Sequence, residues 1–215
     1  MKLYGYFRSS AAFRVRIALN LKGLSCDTEL VNLQAGDQSS AGYKAINPQG
    51  RVPTLEDTGS LLVQSMAIME YLDETCTTSP FLPTDAKGRA RVRGLANIIA
   101  CDIHPLNNLA VLNYLKSEFG ADTEAVNAWY RHWVKQGLDG LEPLLADSAD
   151  TGVYCHGDAP GLADICLVPQ VFNAQRFDCD LSGYPTILGI NAACLALDAF
   201  ERALPGNQPE AAGLG

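Results

Sequence analysis

The apolar positions of this chain change their spacing near residue 80, and the change separates two kinds of structure. Before it, short apolar runs alternate with periodic ones. "KLYGYF" reads as a strand, and "SAAFRVRIALNLKG" as a helix whose Phe13, Ile17 and Leu21 recur every four residues, closed by Gly23 where a left-handed residue ends a helix. "DTELVNL" is a second strand. "SAGYKAIN" is a short helix ended by the turn signal "NPQG", and "VPTLED" and "LLVQS" flank Thr58 and Gly59 as strand, turn, strand. "SMAIMEYLDETC" follows as a helix with Ser65 as a plausible N-cap. The order is β-α-β-α-β-β-α.

After "TSPFLPTDAKG", rich in Pro and Thr, strands disappear. Val92, Leu95, Ala96, Ile99, Ile103, Leu106 and Ala110 follow helical spacing from about Lys87 onwards. "EAVNAWYRHWVKQGLDGLEPLLA", "LADICLVPQVFNAQRF" and "ILGINAACLALDAFERAL" are three further helices, and "PGNQPEAAGLG" is expected to fray. The expected fold class is therefore α/β plus all-α: a domain over residues 1–80 and a helical bundle over 86–215.

Composition narrows the setting. A chain of 215 residues, 47% hydrophobic, can bury a substantial core. No apolar run approaches the roughly 18 residues that cross a bilayer, and "MKLYGYFRSS" lacks the apolar centre of a secretory signal. A cytoplasmic protein without a membrane partner is expected. The seven cysteines are odd in number and nowhere spaced Cys-x-x-Cys, so they read as reduced, mostly buried small hydrophobes. The three histidines lack the spacing of a zinc site, and no metal is expected. A formal charge of −8 repels nucleic acid, which is not an expected partner. Against that background, Arg8, Arg14 and Arg16 around one turn suggest a pocket for an anion. For Arg14 and Arg16 the alternative is a solvated or paired place on the helix surface.

Two segments carry candidate chemistry. In a β-α-β-α-β-β-α domain, a cis-proline opening the third strand marks the thioredoxin fold, and there the preceding residue offers its N–H and C=O to an extended peptide. "GRVPTL" puts Pro53 and Val52 in those places. The pair Ser9 and Ser10 stands at the first strand-to-helix turn, where serine caps a helix. The same position favours an anion such as a thiolate, to which a hydroxyl donates. No cysteine lies in this turn, so a thiol would have to arrive with a ligand. Gln64 and Ser65 repeat the theme, as a cap or as a carboxylate site.

These residues resemble the zeta class of the cytosolic glutathione transferases, the class that contains maleylacetoacetate and maleylpyruvate isomerases. The class signature, Ser-Ser-Cys, two variable residues, then Arg-Val-Arg-Ile-Ala-Leu, stands here as "SSAAFRVRIAL". "NPQGRVPTL", "QSMAIMEYL", "IHPLNNLAVL", "GDAPGLADICLVPQVFNAQRF" and "YPTI" extend the likeness over essentially the whole chain. Ala11 replaces the usual cysteine, removing a side chain thought to position substrate. Gly161 replaces the usual Ser or Thr of a capping box with Asp164.

The resemblance implies a thioredoxin-like domain followed by a helical bundle, a homodimer, and glutathione as cofactor. It implies that Val52 pairs with the cysteinyl residue of glutathione beside Pro53, that Gln64 and Ser65 take the γ-glutamyl end, and that Gln38 lies near the glycine end. Ser9, with Ser10 close behind, would face the thiolate. His104 and Asn108, one turn apart on a helix kinked by Pro105, would also meet glutathione. Arg8 and Arg176 would grip a small dicarboxylate substrate. The implied reaction is cis–trans isomerisation of a β-diketo diacid by reversible thiolate addition, maleylacetoacetate to fumarylacetoacetate. Leu109 and Ala110 match the maleylacetoacetate pattern. A maleylpyruvate isomerase, a general transferase or an α-halo-acid dehalogenase is the alternative.

Overall fold

The computed structural model describes residues 1–214. Two compact units are present: Met1–Pro80 together with the chain from Ala196 onwards, and Phe81–Leu195.

In the first unit, β1 (Lys2–Gly5) pairs in parallel with β2 (Asp27–Leu30) and antiparallel with β3 (Thr54–Asp57), which pairs antiparallel with β4 (Ser60–Val63). The sheet order is β2-β1-β3-β4. Helices α1 (Ser10–Lys22), α2 (Ala41–Ile46) and α3 (Ser65–Thr75) accompany the sheet. The chain enters α1 because Ser9 is extended and its Oγ accepts the Ala12 N–H at 3.2 Å. It leaves at Gly23, whose φ of 67° is the left-handed state that glycine adopts without steric cost. The strands are shorter than the apolar runs suggest. Tyr6 and Phe7 lie beyond β1, yet they are buried, with rings edge to face at 4.8 Å.

Helix α1 is not amphipathic. Arg14, Arg16 and Lys22 are buried with Phe13, Val15 and Ile17, so neither arginine has the solvated surface position that was one reading of the sequence. The cations find oxygens instead. Arg16 donates to the carbonyls of Phe7 at 3.0 Å and Ala203 at 3.0 and 3.1 Å. Burial lowers its pKa to about 10. Lys22 Nζ donates to Asp73 Oδ1 at 2.7 Å and to the carbonyls of Cys76, Thr78 and Ser79 at 2.8, 2.9 and 3.0 Å.

The carboxyl-terminal boundary differs from the expected 86–215. The long last helix is broken: α8 (Pro185–Leu195) stops, Leu197 is extended, and α9 (Asp198–Glu201) begins anew. From Ala196 the chain belongs to the first unit, held to α1 by Arg16 on Ala203 and by Asn20 Nδ2 on the Ala199 carbonyl at 2.9 Å. The expected frayed end contains a 3₁₀ turn, Pro205–Asn207, and a short helix, α10 (Ala211–Leu214).

The second unit holds α4 (Ala86–Asn97), α5 (Leu109–Phe119), α6 (Thr123–Ala146), α7 (Leu162–Arg176) and α8. The continuous first helix expected there is interrupted by a π-helical stretch, Ile98–Ile103, and a 3₁₀ turn, Pro105–Asn107. Residues 86–119 are long and apolar enough, by length and composition, to cross a membrane, but they are divided among these four pieces.

Asp164 organises the start of α7. Its carboxylate accepts the N–H groups of Cys155 and Gly161, each at 2.8 Å. Leu162 N–H donates to the Phe81 carbonyl, and a Cβ on Gly161 would lie 2.8 Å from that oxygen. Glycine is thus set by close backbone approach as well as by capping.

Replacing Lys22 by Met should lower unfolding free energy by about 3–5 kcal/mol, because it removes a buried ammonium to which Asp73 Oδ1 and three carbonyls are bonded. Urea unfolding measures this; a loss below about 1 kcal/mol would show that water replaces the ammonium.

Candidate active site

Four segments of the first unit carry expected site residues. At the amino end of α1, Ser9 is the cap, whereas Ser10 is already helical and 6% exposed. The Ser9 oxygen accepts from Ala12 and its O–H remains able to donate, since a hydroxyl does both. Ala11 is buried behind them. Arg8 is half-buried with its guanidinium 5.0 Å from the Phe7 ring centroid, and no carboxylate among the described residues pairs with it.

The second segment is the loop before β3. Asn47 Nδ2 donates to the Arg51 carbonyl at 2.8 Å, and Tyr43 O–H donates to the same oxygen at 2.7 Å. Both side chains also reach Thr54 Oγ1, at 3.2 and 3.1 Å. Asn47 Oδ1 accepts the Gln49 N–H. Gly50, at φ 61°, needs to be glycine for a second reason: an added Cβ would lie 2.8 Å from the Gln38 carbonyl. The Val52–Pro53 bond is cis. Among the described residues nothing pairs with the main-chain N–H or C=O of Val52.

The third segment is the start of α3. Gln64, not Ser65, precedes the helix; at φ 71° and ψ 116° it makes no cap hydrogen bond, and Ser65 is the first helical residue. Ser65 as N-cap is therefore corrected. Its side chain has another partner, the guanidinium of Arg14, whose Nη1 lies 3.3 Å from Ser65 Oγ.

Contacts join these segments. Gln64 Nε2 donates to Gln49 Oε1 at 2.8 Å, Gln38 abuts Gly50, and Arg14 links α1 to Ser65. Gln38 sits in a 3₁₀ turn, Asp37–Ser39, with its Oε1 buried and without a partner. Ser9, Gln38, Val52, Pro53, Gln64 and Ser65 thus stand on connected segments of one unit.

His104, Asn108 and Arg176 lie in the second unit. His104 and Asn108 do not share a helix face as expected. Proline has no N–H to continue the ladder, and the chain tightens into the 3₁₀ turn after His104. Asn108 is extended, and its Oδ1 caps α5 by accepting the Ala110 N–H at 3.0 Å. Leu109 and Ala110 are exposed. Trp129 Nε1 donates to the Leu106 carbonyl at 2.8 Å, fixing this turn to α6. Arg176 ends α7, exposed, 5.1 Å from the centroid of Phe177, which stacks on Tyr130 at 3.7 Å.

Sequence reasoning missed several supports. Asn47, Tyr43 and Thr54 are unremarkable residues of a turn, a short helix and a strand. Gly137 gave no sign that a Cβ there would lie 2.2 Å from Ile103, the last residue of the π-helical stretch before His104. Among the described residues no group of three His, Cys, Asp or Glu could hold a metal.

The four-stranded mixed sheet and the cis-proline entry to β3 make the first unit thioredoxin-like. The comparisons specify it. Residues 1–74 match the glutathione S-transferase N-terminal domain. The chain is 48% identical over 213 residues to a maleylacetoacetate isomerase of Pseudomonas aeruginosa, covering 98% of both. A holo structure of maleylpyruvate isomerase, a bacterial zeta-class enzyme, is 50% identical with a TM-score of 0.96, covering 98% of this chain and 99% of that one. The maleylacetoacetate isomerase of Methylobacterium extorquens AM1, solved with malonate and glutathione, is 45% identical, also at 0.96 and over 98% and 99% of the two chains. The chain belongs to the zeta-class glutathione transferase family of maleylacetoacetate and maleylpyruvate isomerases.

Asn47→Ala should cost about 1–3 kcal/mol, leaving the Arg51 carbonyl and Thr54 hydroxyl short of a partner. Urea unfolding, with faster amide exchange over residues 48–53, is the check; unchanged exchange there would mean that Tyr43 alone holds the loop.

Proposed function

We propose that this chain catalyses the glutathione-dependent cis–trans isomerisation of a β-diketo diacid, foremost maleylacetoacetate to fumarylacetoacetate. The observation that carries the reading is the full-length similarity to isomerases, joined to a first unit whose loose ends suit a γ-glutamyl tripeptide thiol. Val52 has unpaired main-chain groups for an extended peptide, and Gln38 has an unpartnered buried oxygen that can take an N–H.

When bound, glutathione would supply a thiolate that adds to one carbon of the cis double bond, its π pair passing to the conjugated carbonyl so that the remaining single bond can rotate, and that leaves again as the trans double bond re-forms. The chain's own residues do the rest. Ser9 donates to the sulfur and, with the amino end of α1, keeps it ionised; its half-buried cap position favours it over the more buried Ser10. Val52, beside Pro53, holds the cysteinyl main chain. Gln64 and Ser65 take the γ-glutamyl end and Gln38 the glycine end, with His104 and Asn108 as further contacts. Arg8 and Arg176 each take a carboxylate of the diacid and offset developing negative charge. The protein acts as a homodimer in the cytoplasm, as the family expectation has it.

Maleylpyruvate is the nearest alternative substrate, since relatives of both names are similarly close. Leu109 and Ala110, apolar where arginines are expected in maleylpyruvate isomerases, favour maleylacetoacetate. Conjugation or dehalogenation on the same site would consume glutathione.

A parallel spectrophotometric assay of maleylacetoacetate and maleylpyruvate, with and without glutathione, should show isomerisation only with glutathione and no loss of it. Consumption of the thiol in proportion to product would replace isomerase by transferase. Arg8→Ala and Arg176→Ala should each lower the rate by roughly 10²-fold or more; parental rates in both would end the carboxylate-clamp assignment. For Ser9→Ala, thiolate absorbance against pH should show a raised pKa of bound glutathione, and an unmoved curve would transfer the role to Ser10 or to main-chain donors.

A further inference from the structure

Arg14 stands out among the buried groups of the first unit. It is 1% exposed, and its Nε and Nη2 have no hydrogen-bond partner. Its remaining nitrogen, Nη1, meets Ser65 Oγ at 3.3 Å. The neighbouring cations of α1 are treated otherwise: Arg16 spends Nε and Nη2 on carbonyls, and Lys22 meets four oxygens including a carboxylate. No carboxylate forms an ion pair with Arg14 among the described residues.

A buried cation without an anion is costly, and its field is weakly screened. The field here falls at the start of α3, an eleven-residue helix whose preceding residue, Gln64, provides no side-chain cap. Helix dipole and guanidinium act in the same sense there. The hydrogen bond adds direction. Nη1 occupies a lone pair of Ser65 Oγ, so the hydroxyl hydrogen turns away from Arg14 and is left to donate to an incoming acceptor.

We propose that Arg14 is a positioning residue for the γ-glutamyl α-carboxylate of glutathione, acting through Ser65: it orients the Ser65 hydroxyl and supplies positive charge that faces that carboxylate. This rests on the reading above that Ser65 takes the γ-glutamyl end. Arg14 does not touch the ligand, because its free nitrogens are enclosed. Its effect is confined to the ligand's carboxylate and does not extend to the thiol or the peptide.

The test compares two ligands in calorimetric titrations: glutathione, and 4-aminobutyryl-cysteinylglycine, which lacks only the γ-glutamyl α-carboxylate. The parental protein should prefer glutathione. Arg14→Met should weaken glutathione binding about tenfold or more and leave the analogue's affinity unchanged, so that the preference collapses. Arg14→Lys, which keeps the charge but loses the planar fork, should give an intermediate preference, and it decides the matter if Arg14→Met does not fold. Parental preference in the folded variants, whether both affinities are intact or both fall together, would make Arg14 a structural residue only and overturn the proposal. Failure of the parental protein itself to bind glutathione at millimolar concentration would overturn the preceding reading and this one together.

Discussion

The first unit is organised around a helix enclosed on every side that nevertheless carries three cations. Burying Arg14, Arg16 and Lys22 obliges the surrounding chain to bring oxygen atoms to them, and each cation thereby fixes a different segment. Lys22 gathers the end of α3 and the carbonyls that follow it. Arg16 draws in the turn after β1 and the returning carboxyl-terminal segment. Arg14 reaches the start of α3. The charges therefore fix α1 within its unit as directionally as its apolar side chains fill space.

The candidate site is a by-product of that arrangement. A helix held at both ends presents its amino terminus in a defined place, with Ser9 satisfying one N–H and retaining a hydroxyl hydrogen. The loop bearing Val52 is braced by Asn47 and Tyr43 on the Arg51 carbonyl, next to the unpaired main-chain groups of Val52. Two glycines serve as clearances: Gly50 lets the Gln38 carbonyl approach that loop, and Gly137 admits Ile103 against α6. None of these residues needs to touch a substrate to matter for one.

The chain as a whole is acidic, yet the first unit encloses Arg14, Arg16 and Lys22 in its interior, so a net charge of −8 says little about the field at any one place. The reactive sulfur belongs to the ligand. Most cysteines of the chain lie in ordinary half-buried or buried positions, where burial raises the pKa of Cys155 and Cys194 and keeps them unreactive.

The sequence by itself determined the element order of the first unit, the turn at Gly23, the proline before β3 and the serine-bearing helix starts, because those features depend on local rules of capping, backbone freedom and alternation. It also carried motifs dense enough to point to the family. What it left open depended on partners distant along the chain. Periodicity placed Arg14 and Arg16 on a helix but not inside a core, since their oxygens come from residues far away in sequence. It ran one helix through Leu195 to Asp198 and another through Pro105, because spacing records apolar positions and not where the hydrogen-bond ladder stops. Asn47, Gly137 and the returning end acquired their roles only when tertiary structure brought a carbonyl or a methyl group within reach, a decision made by packing that no local pattern encodes.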